Sequence, residues 1–254
     1  ECLKCGLIFP NIDLDALSRS EKKKKNISPY IKNRSVYKKT LKYRIETFGV
    51  QRINYLIKNL KLNKKNRVLD MGCGHGNFLA TLDHFGYDYV GYDPDLSNIK
   101  FCEYLGYNAV SNIEDISGKF DLVTMYDVIE HLHDPIEALK PVLNKMSRNG
   151  KILFYTPNIR SVAFDMMGKY QNQTYPFDHV AFFSEKSIKF LAKKLNLKIK
   201  KIEYFGFDLT DYFLFKEYIN NRDFYPYFKN VINYLQSILD QNSLSNSMRV
   251  TLSR

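Results

Sequence analysis

Between residues 67 and 77 the chain passes from a short apolar segment, Arg67-Val68-Leu69-Asp70, through Met71-Gly72-Cys73-Gly74-His75-Gly76 and into an apolar helical repeat that starts at Asn77. Glycine at every second position lets the backbone turn sharply and approach a ligand closely. Such a turn between strand and helix commits this stretch to a βα unit. The pattern continues downstream. Tyr89–Asp93 reads as a second strand and Leu96–Leu105 as a second helix. Phe120–Met125 reads as a strand, Pro135–Met146 as a helix, and Lys151–Tyr155, introduced by Gly150, as a further strand. Strands alternating with helices of this length predict an α/β, Rossmann-like fold: a mostly parallel seven-stranded sheet with helices on both faces and an antiparallel last strand. Apolar spacing over Arg34–Leu62 adds two N-terminal helices separated at Gly49. Ser184, with Ser187 behind it, caps a helix running to Leu195, and Leu197–Phe207 follows as a strand. Residues 222–241 predict one amphipathic helix with a buried apolar stripe, and Met248–Leu252 a strand antiparallel to 197–207.

The 254 residues suffice for one α/β domain with its own core. No apolar run approaches the ~18 residues a membrane helix needs. The opening Glu1-Cys2-Leu3-Lys4 lacks the layout of a signal peptide. A cytoplasmic protein is expected. Four cysteines are too few for a disulfide scaffold, and Cys73 and Cys102 are expected to be buried free thiols. Cys2-Leu3-Lys4-Cys5-Gly6 instead forms half of a zinc ribbon. Zinc takes four ligands, so a second pair would have to lie upstream of residue 1, and the site as it stands is incomplete. The net charge is +11, and residues 19–44 hold eleven Lys/Arg against Glu21 alone, including the run Lys22–Lys25. This can be an arm for nucleic acid or a solvated linker. No nucleic-acid-binding motif accompanies it, so the linker reading is preferred. Domain organisation follows: residues 1–32 as a partial ribbon-like segment with a basic linker, and 33–254 as the α/β domain, carrying an aromatic-rich helical insertion at 208–247.

The glycine loop lacks the third glycine of a G-x-G-x-x-G dinucleotide fingerprint, because position 77 is Asn77. Asp70, two residues before Gly72, would face a pyrophosphate unfavourably but suits a cationic amino group. Asp93, 21 residues after Gly72, ends the next strand, where a carboxylate can accept ribose hydroxyls. An amino acid joined to adenosine satisfies both, and S-adenosylmethionine (SAM) is that ligand. Over residues 50–207 the sequence resembles the class I SAM-dependent methyltransferases. Val68-Leu69-Asp70-Met71-Gly72-Cys73-Gly74-His75-Gly76 is similar to their first motif and Val90-Gly91-Tyr92-Asp93-Pro94 to their second. The resemblance implies Asp93 on the ribose, Pro94 against the adenine, and Asn112-Ile113-Glu114-Asp115 as the acidic turn reading the adenine amino group. Phe120 to Leu132 resembles the strand-and-turn motif of ubiquinone-type and sugar methyltransferases, which puts Tyr126 among the cofactor residues. In ubiquinone-type relatives an arginine near position 52 pairs with the SAM carboxylate; Arg52 is assigned that role, with a solvent-facing helix arginine as the alternative. Several relatives carry an N-terminal zinc ribbon ending as Cys2–Gly6 does, so a structural zinc on Cys2 and Cys5 is implied.

Methyl transfer from a sulfonium needs positioning of the acceptor and, for a hydroxyl or ammonium, a base. His131, just beyond the Phe120–Met125 strand, and His179, in Tyr175-Pro176-Phe177-Asp178-His179, are equal candidates. Asp178 and Phe182-Phe183 are expected to flank the His179 ring. Asp127, Glu130 and His131 stand at i, i+3 and i+4, so a helical turn would put them on one face where they can hold a divalent metal; polar capping of the turn is the preferred reading. The leading function is methyl transfer to oxygen or nitrogen of a small molecule, such as a sugar or nucleotide-linked sugar. An RNA or protein methyltransferase using the basic arm, and a non-catalytic SAM-binding module, are the alternatives.

Overall fold

In a computed structural model of the protein, residues 1–10, 34–174 and 179–254 are described. The run Lys22–Lys25 and the segment Tyr175–Asp178 lie outside the described residues, so the expected flanking of His179 by Asp178 does too. The elements are α1 (Arg34–Arg44), a π-helical turn (Ile45–Gly49), α2 (Val50–Leu60), β1 (Arg67–Met71), α3 (Asn77–His84), β2 (Asp88–Tyr92), α4 (Leu96–Leu105), β3 (Ala109–Val110), β4 (Phe120–Tyr126), α5 (Pro135–Lys145), β5 (Met146–Pro157), α6 (Val162–Met167), α7 (Glu185–Lys194), β6 (Lys198–Phe205), α8 (Asp208–Asn220), α9 (Tyr225–Phe228), α10 (Ile232–Gln241) and β7 (Ser247–Ser253). The strands form a seven-stranded sheet in the order β3-β2-β1-β4-β5-β7-β6.

Cα packing divides the described residues into two compact units. One takes in the residues from 34 to 126 together with 139–152 and 254. Its strands β1, β2, β3 and β4 are parallel, Asp70 standing opposite Gly91 of β2 and Thr124 of β4. The apolar strands Val68-Leu69 and Leu122-Val123 are buried on both faces, as the crossover helices of a parallel sheet require. The other unit takes in residues 1–10, 127–138 and 153–253. There β6 and β7 pair antiparallel from Lys198–Ser253 to Phe205–Ser247. Ser184 and Ser187 form a reciprocal capping box at α7, which satisfies backbone N–H groups at a buried helix start.

Two helical expectations change. Gly49 does not break a helix: with φ −66° and ψ −47° it continues from the π turn into α2. It is glycine because a Cβ there would stand 2.0 Å from the Thr81 hydroxyl. Residues 222–241 do not form one helix. Pro226 opens the short α9, and α10 buries Ile232 while leaving Tyr234, Leu235 and Ile238 exposed. The apolar stripe read there is largely a surface feature.

Candidate functional site

The loop after β1 is built by its glycines. Gly72, Gly74 and Gly76 all have positive φ (73°, 51° and 77°), where a side chain costs conformational energy. Gly76 also has no room, since a Cβ would meet the Tyr107 ring at 2.9 Å, whereas at Gly74 nothing lies within 4 Å of one. The space over Gly74 is therefore left open by the fold. Tyr92 O accepts the Gly72 and Cys73 N–H groups, and Asp93 Oδ2 accepts the Gly74 N–H at 2.9 Å. The Tyr37 hydroxyl of α1 donates to His75 O at 3.0 Å and so ties α1 to the loop. Cys73 and Cys102 are buried free thiols, as expected.

Asp70 is buried, and accepts a hydrogen bond from Thr124 Oγ1 at 2.7 Å. Burial pushes its carboxyl up to about 7, opposed by the Thr124 bond and the Arg52 charge and increased by Asp93. Arg52 stacks over the Tyr126 ring at 4.0 Å, and Tyr126 packs edge-on against Phe78. Asp93 is also buried; besides Gly74 it accepts from Asp95 N–H and from the Asn98 side chain. Pro94 is exposed at the end of β2. Glu114 and Asp115 are exposed on a 3₁₀ turn, Ile113–Asp115, which Asn112 caps through Glu114 N–H. These positions and Arg52, Asp70, Gly72, Gly74, Gly76, Asp93 and Tyr126 all belong to one compact unit. The loop thus has open space at Gly74 and two buried carboxylates, Asp70 and Asp93, in the same unit. Thr124 and Asn98, which hold those carboxylates, were not singled out from the sequence. A threonine inside the apolar run Phe120–Met125 was the available signal for the first; the second had none.

In the other unit, Val180 and Ala181 N–H groups both donate to Glu130 O, which brings the His131 and His179 segments together. The two imidazoles meet edge-on with centroids 4.8 Å apart, and Phe182 lies beyond His179 at 6.4 Å. Gln173 O lies 2.6 Å from His179 Nδ1. A carbonyl can only accept, so Nδ1 carries the hydrogen and Nε2 of the neutral ring keeps a lone pair. Glu130 is buried with Oε2 lacking a protein partner. Burial pushes its carboxyl up to about 8, its own backbone N–H opposing, the Asp127 charge adding and Thr156 opposing. Among the described residues, ligand atoms of Glu130, His131 and His179 lie within 4.8 Å of one another. Asp127 is not in that group. The turn is a 3₁₀ segment, Ile129–His131, which starts after Asp127, so the helical spacing that would align Asp127 with Glu130 and His131 does not apply.

Cys2 and Cys5 sit in a tight knuckle closed by Gly6 N–H to Cys2 O and Cys2 N–H to Leu7 O, both 2.8 Å. The Cys5 backbone N–H, the Cys5 thiol and the Lys4 N–H hold the Cys2 thiol below its ordinary range. Among the described residues no cluster of three or more ligands includes Cys2 and Cys5.

The parallel β3-β2-β1-β4 order and the glycine loop flanked by carboxylates define a class I, Rossmann-like methyltransferase fold. The chain belongs to the methyltransferase domain family, whose profile matches residues 37–202. It is similar to the ubiquinone biosynthesis O-methyltransferases of Aliivibrio fischeri (27% identity over 133 residues, 47% of this chain and 57% of that protein) and Pelagibacter ubique (26% over 183 residues, 66% and 73%). The chain thus spans a little over half the length of the first of these relatives. A SAM-dependent methyltransferase from Archaeoglobus fulgidus shares the fold, with a TM-score of 0.53 at 24% identity, covering 79% of this chain and 92% of that one. No helix among the described residues is long and apolar enough to cross a membrane.

Proposed function

We propose that the protein is a SAM-dependent methyltransferase that methylates an oxygen of a small-molecule acceptor. The observation that carries this reading is the pair of buried carboxylates, Asp70 and Asp93, at the ends of adjacent strands around a glycine loop open at Gly74. Asp70 would hold the cofactor's ammonium, Asp93 its ribose, and Arg52 its carboxylate; Pro94, Glu114 and Asp115 would meet the adenine. When bound, S-adenosylmethionine supplies a methyl group on a sulfonium, an electrophile ready for displacement. The chain's own task is to position the acceptor and accept its proton. His179, oriented through Nδ1 by Gln173, offers Nε2 as the base, with His131 beside it. Oxygen is favoured over nitrogen because the two relatives are O-methyltransferases by name.

The narrower reading, a sugar or nucleotide-linked sugar as acceptor, rests on the motif likeness of residues 120–132. It is tested by offering catechols and nucleotide-linked sugars side by side and identifying the methylated product by mass spectrometry. For the cofactor, calorimetry should show micromolar SAM binding that Asp93→Ala weakens by ~1–3 kcal/mol, the worth of hydrogen bonds to a charged group. Unchanged affinity in that variant removes Asp93 from the ribose.

A second reading of the histidine pair is favoured by the unpartnered Glu130 Oε2. Glu130, His131 and His179 would hold a divalent cation, which would polarise the acceptor hydroxyl. Turnover that survives a chelator unchanged argues for the base alone; turnover lost to the chelator and restored by Mg²⁺ or Zn²⁺ argues for the cation. Zinc on Cys2 and Cys5 is proposed with further ligands from outside the described residues, as a structural and not a catalytic ion.

A further inference from the structure

We propose that a clasp between Gln171 and Gln173 is a positioning device that sets the tautomer of His179; this rests on the reading of His179 as the residue that receives the acceptor's proton. The turn Asn172–Thr174 lies six residues before His179, and its main chain is held from several sides. Gln171 is 4% exposed. Its side-chain oxygen accepts the Gln173 N–H at 2.6 Å, and its amide nitrogen donates to Gln173 Oε1 at 3.3 Å. Thr174 donates to Gln171 O through both its N–H (3.0 Å) and its hydroxyl (2.7 Å). Gln173 Nε2 in turn donates to Ser247 Oγ, at the first residue of β7, at 3.1 Å. The turn is thereby fixed to a sheet strand, and it presents Gln173 O to the imidazole.

The consequence is chemical. A fixed carbonyl at Nδ1 selects the Nδ1–H form, so Nε2 is the only ring atom able to take a proton, and the ring plane is set by the same bond. Gln171 is buried and Gln173 half-buried, and burying the Gln171 amide carries a desolvation cost that an apolar residue of similar volume would avoid. A tautomer-setting role accounts for that expenditure. If the turn shifts, Nδ1 loses its acceptor, the ring samples both tautomers and rotates, and the base is available for only part of the time.

The test is the tautomer itself, read by long-range ¹H–¹⁵N correlation of the full-length protein labelled with ¹⁵N. His179 signals are assigned by their loss in His179→Gln. The wild type should show a protonated Nδ1 and an unprotonated Nε2. Gln171→Leu, which keeps the volume but removes the clasp, should bring the two nitrogen shifts toward each other and lower kcat about 10–100-fold, the usual cost of losing an outer partner of a functional imidazole, with SAM affinity unchanged. Gln171→Glu, which keeps the oxygen that accepts Gln173 N–H, should recover much of both. Ser247→Ala supplies the same readout through the other tie if Gln171→Leu does not fold. An Nε2–H tautomer in the wild type, or a His179 tautomer unmoved in the folded variants, overturns the proposal. Full turnover by His179→Ala would instead overturn the base assignment, and leaves the tautomer result to stand by itself.

Discussion

At the scale of single residues, Asp70 is costly to keep. Its folded carboxyl titrates near 7 against an ordinary value of 3.8, and burial is the largest cause. A raised acid is protonated in the folded chain while ionised in the unfolded one, so stability from this group falls as pH rises from about 4 to about 7 and stays low above that. Asp70→Asn would keep the Thr124 hydrogen bond and remove the charge. We expect that variant to melt higher than the wild type at pH 8 and to lose SAM, a trade of stability for function. The same group gives binding a pH dependence. A cationic amino group selects ionised Asp70, so SAM affinity should fall about tenfold per unit on going from pH 7 toward about 5.5. Calorimetry in buffers of different ionisation enthalpy should also detect a proton released on binding. An affinity flat over that range would take Asp70 out of contact with the ammonium.

At the scale of elements, the joint between α1, the π turn and α2 packs where Gly49 meets Thr81 of α3. Adding one methyl group places it 2.0 Å from Thr81 Oγ1 and 2.8 Å from Cγ2. Gly49→Ala should therefore destabilise by ~1–3 kcal/mol through overpacking, a loss of several degrees in Tm for a chain of this size. Thr81→Ala in the same molecule should restore most of it, because the Thr81 hydroxyl is buried without a hydrogen-bond partner. A double variant no more stable than Gly49→Ala would mean that the glycine serves another purpose. This joint also shows what sequence can carry. The alternation from β1 to α5 was legible because strands and helices bury residues at different periods, and because Gly72, Gly74 and Gly76 mark the turn after β1. Gly49 misled because a glycine needed for close approach looks like one needed for a break. Helices α9 and α10 were misread as one because the apolar spacing runs on past Pro226, over residues that turn out to be largely exposed. Asp70 and Asp93 were legible as the last carboxylates of their strands. Gln173 was not, since it acts on His179 through a main-chain carbonyl, which any residue possesses.

At the scale of the whole molecule, the residues assigned to the cofactor and those assigned to the acceptor's proton belong to different compact units. Binding and chemistry should then be separable by mutation. His179→Ala leaves Asp70, Asp93 and the glycine loop with all their described partners. SAM affinity should stay within about twofold, while turnover falls about 10²–10⁴-fold, the scale of a lost general base. His131 meets the same ring at 4.8 Å and shares the group with Glu130. Combining His131→Ala with His179→Ala should cost little more than His179→Ala alone, as expected of residues acting as one unit. Asp93→Ala combined with His179→Ala should instead give additive losses, because the two act on different steps. Three outcomes decide the assignment. Normal turnover by His179→Ala with a dead His131→Ala that still binds SAM reverses the two roles. Activity in both leaves positioning alone to account for the rate. Loss of SAM binding in either would show that the cofactor and proton-transfer residues do not act independently.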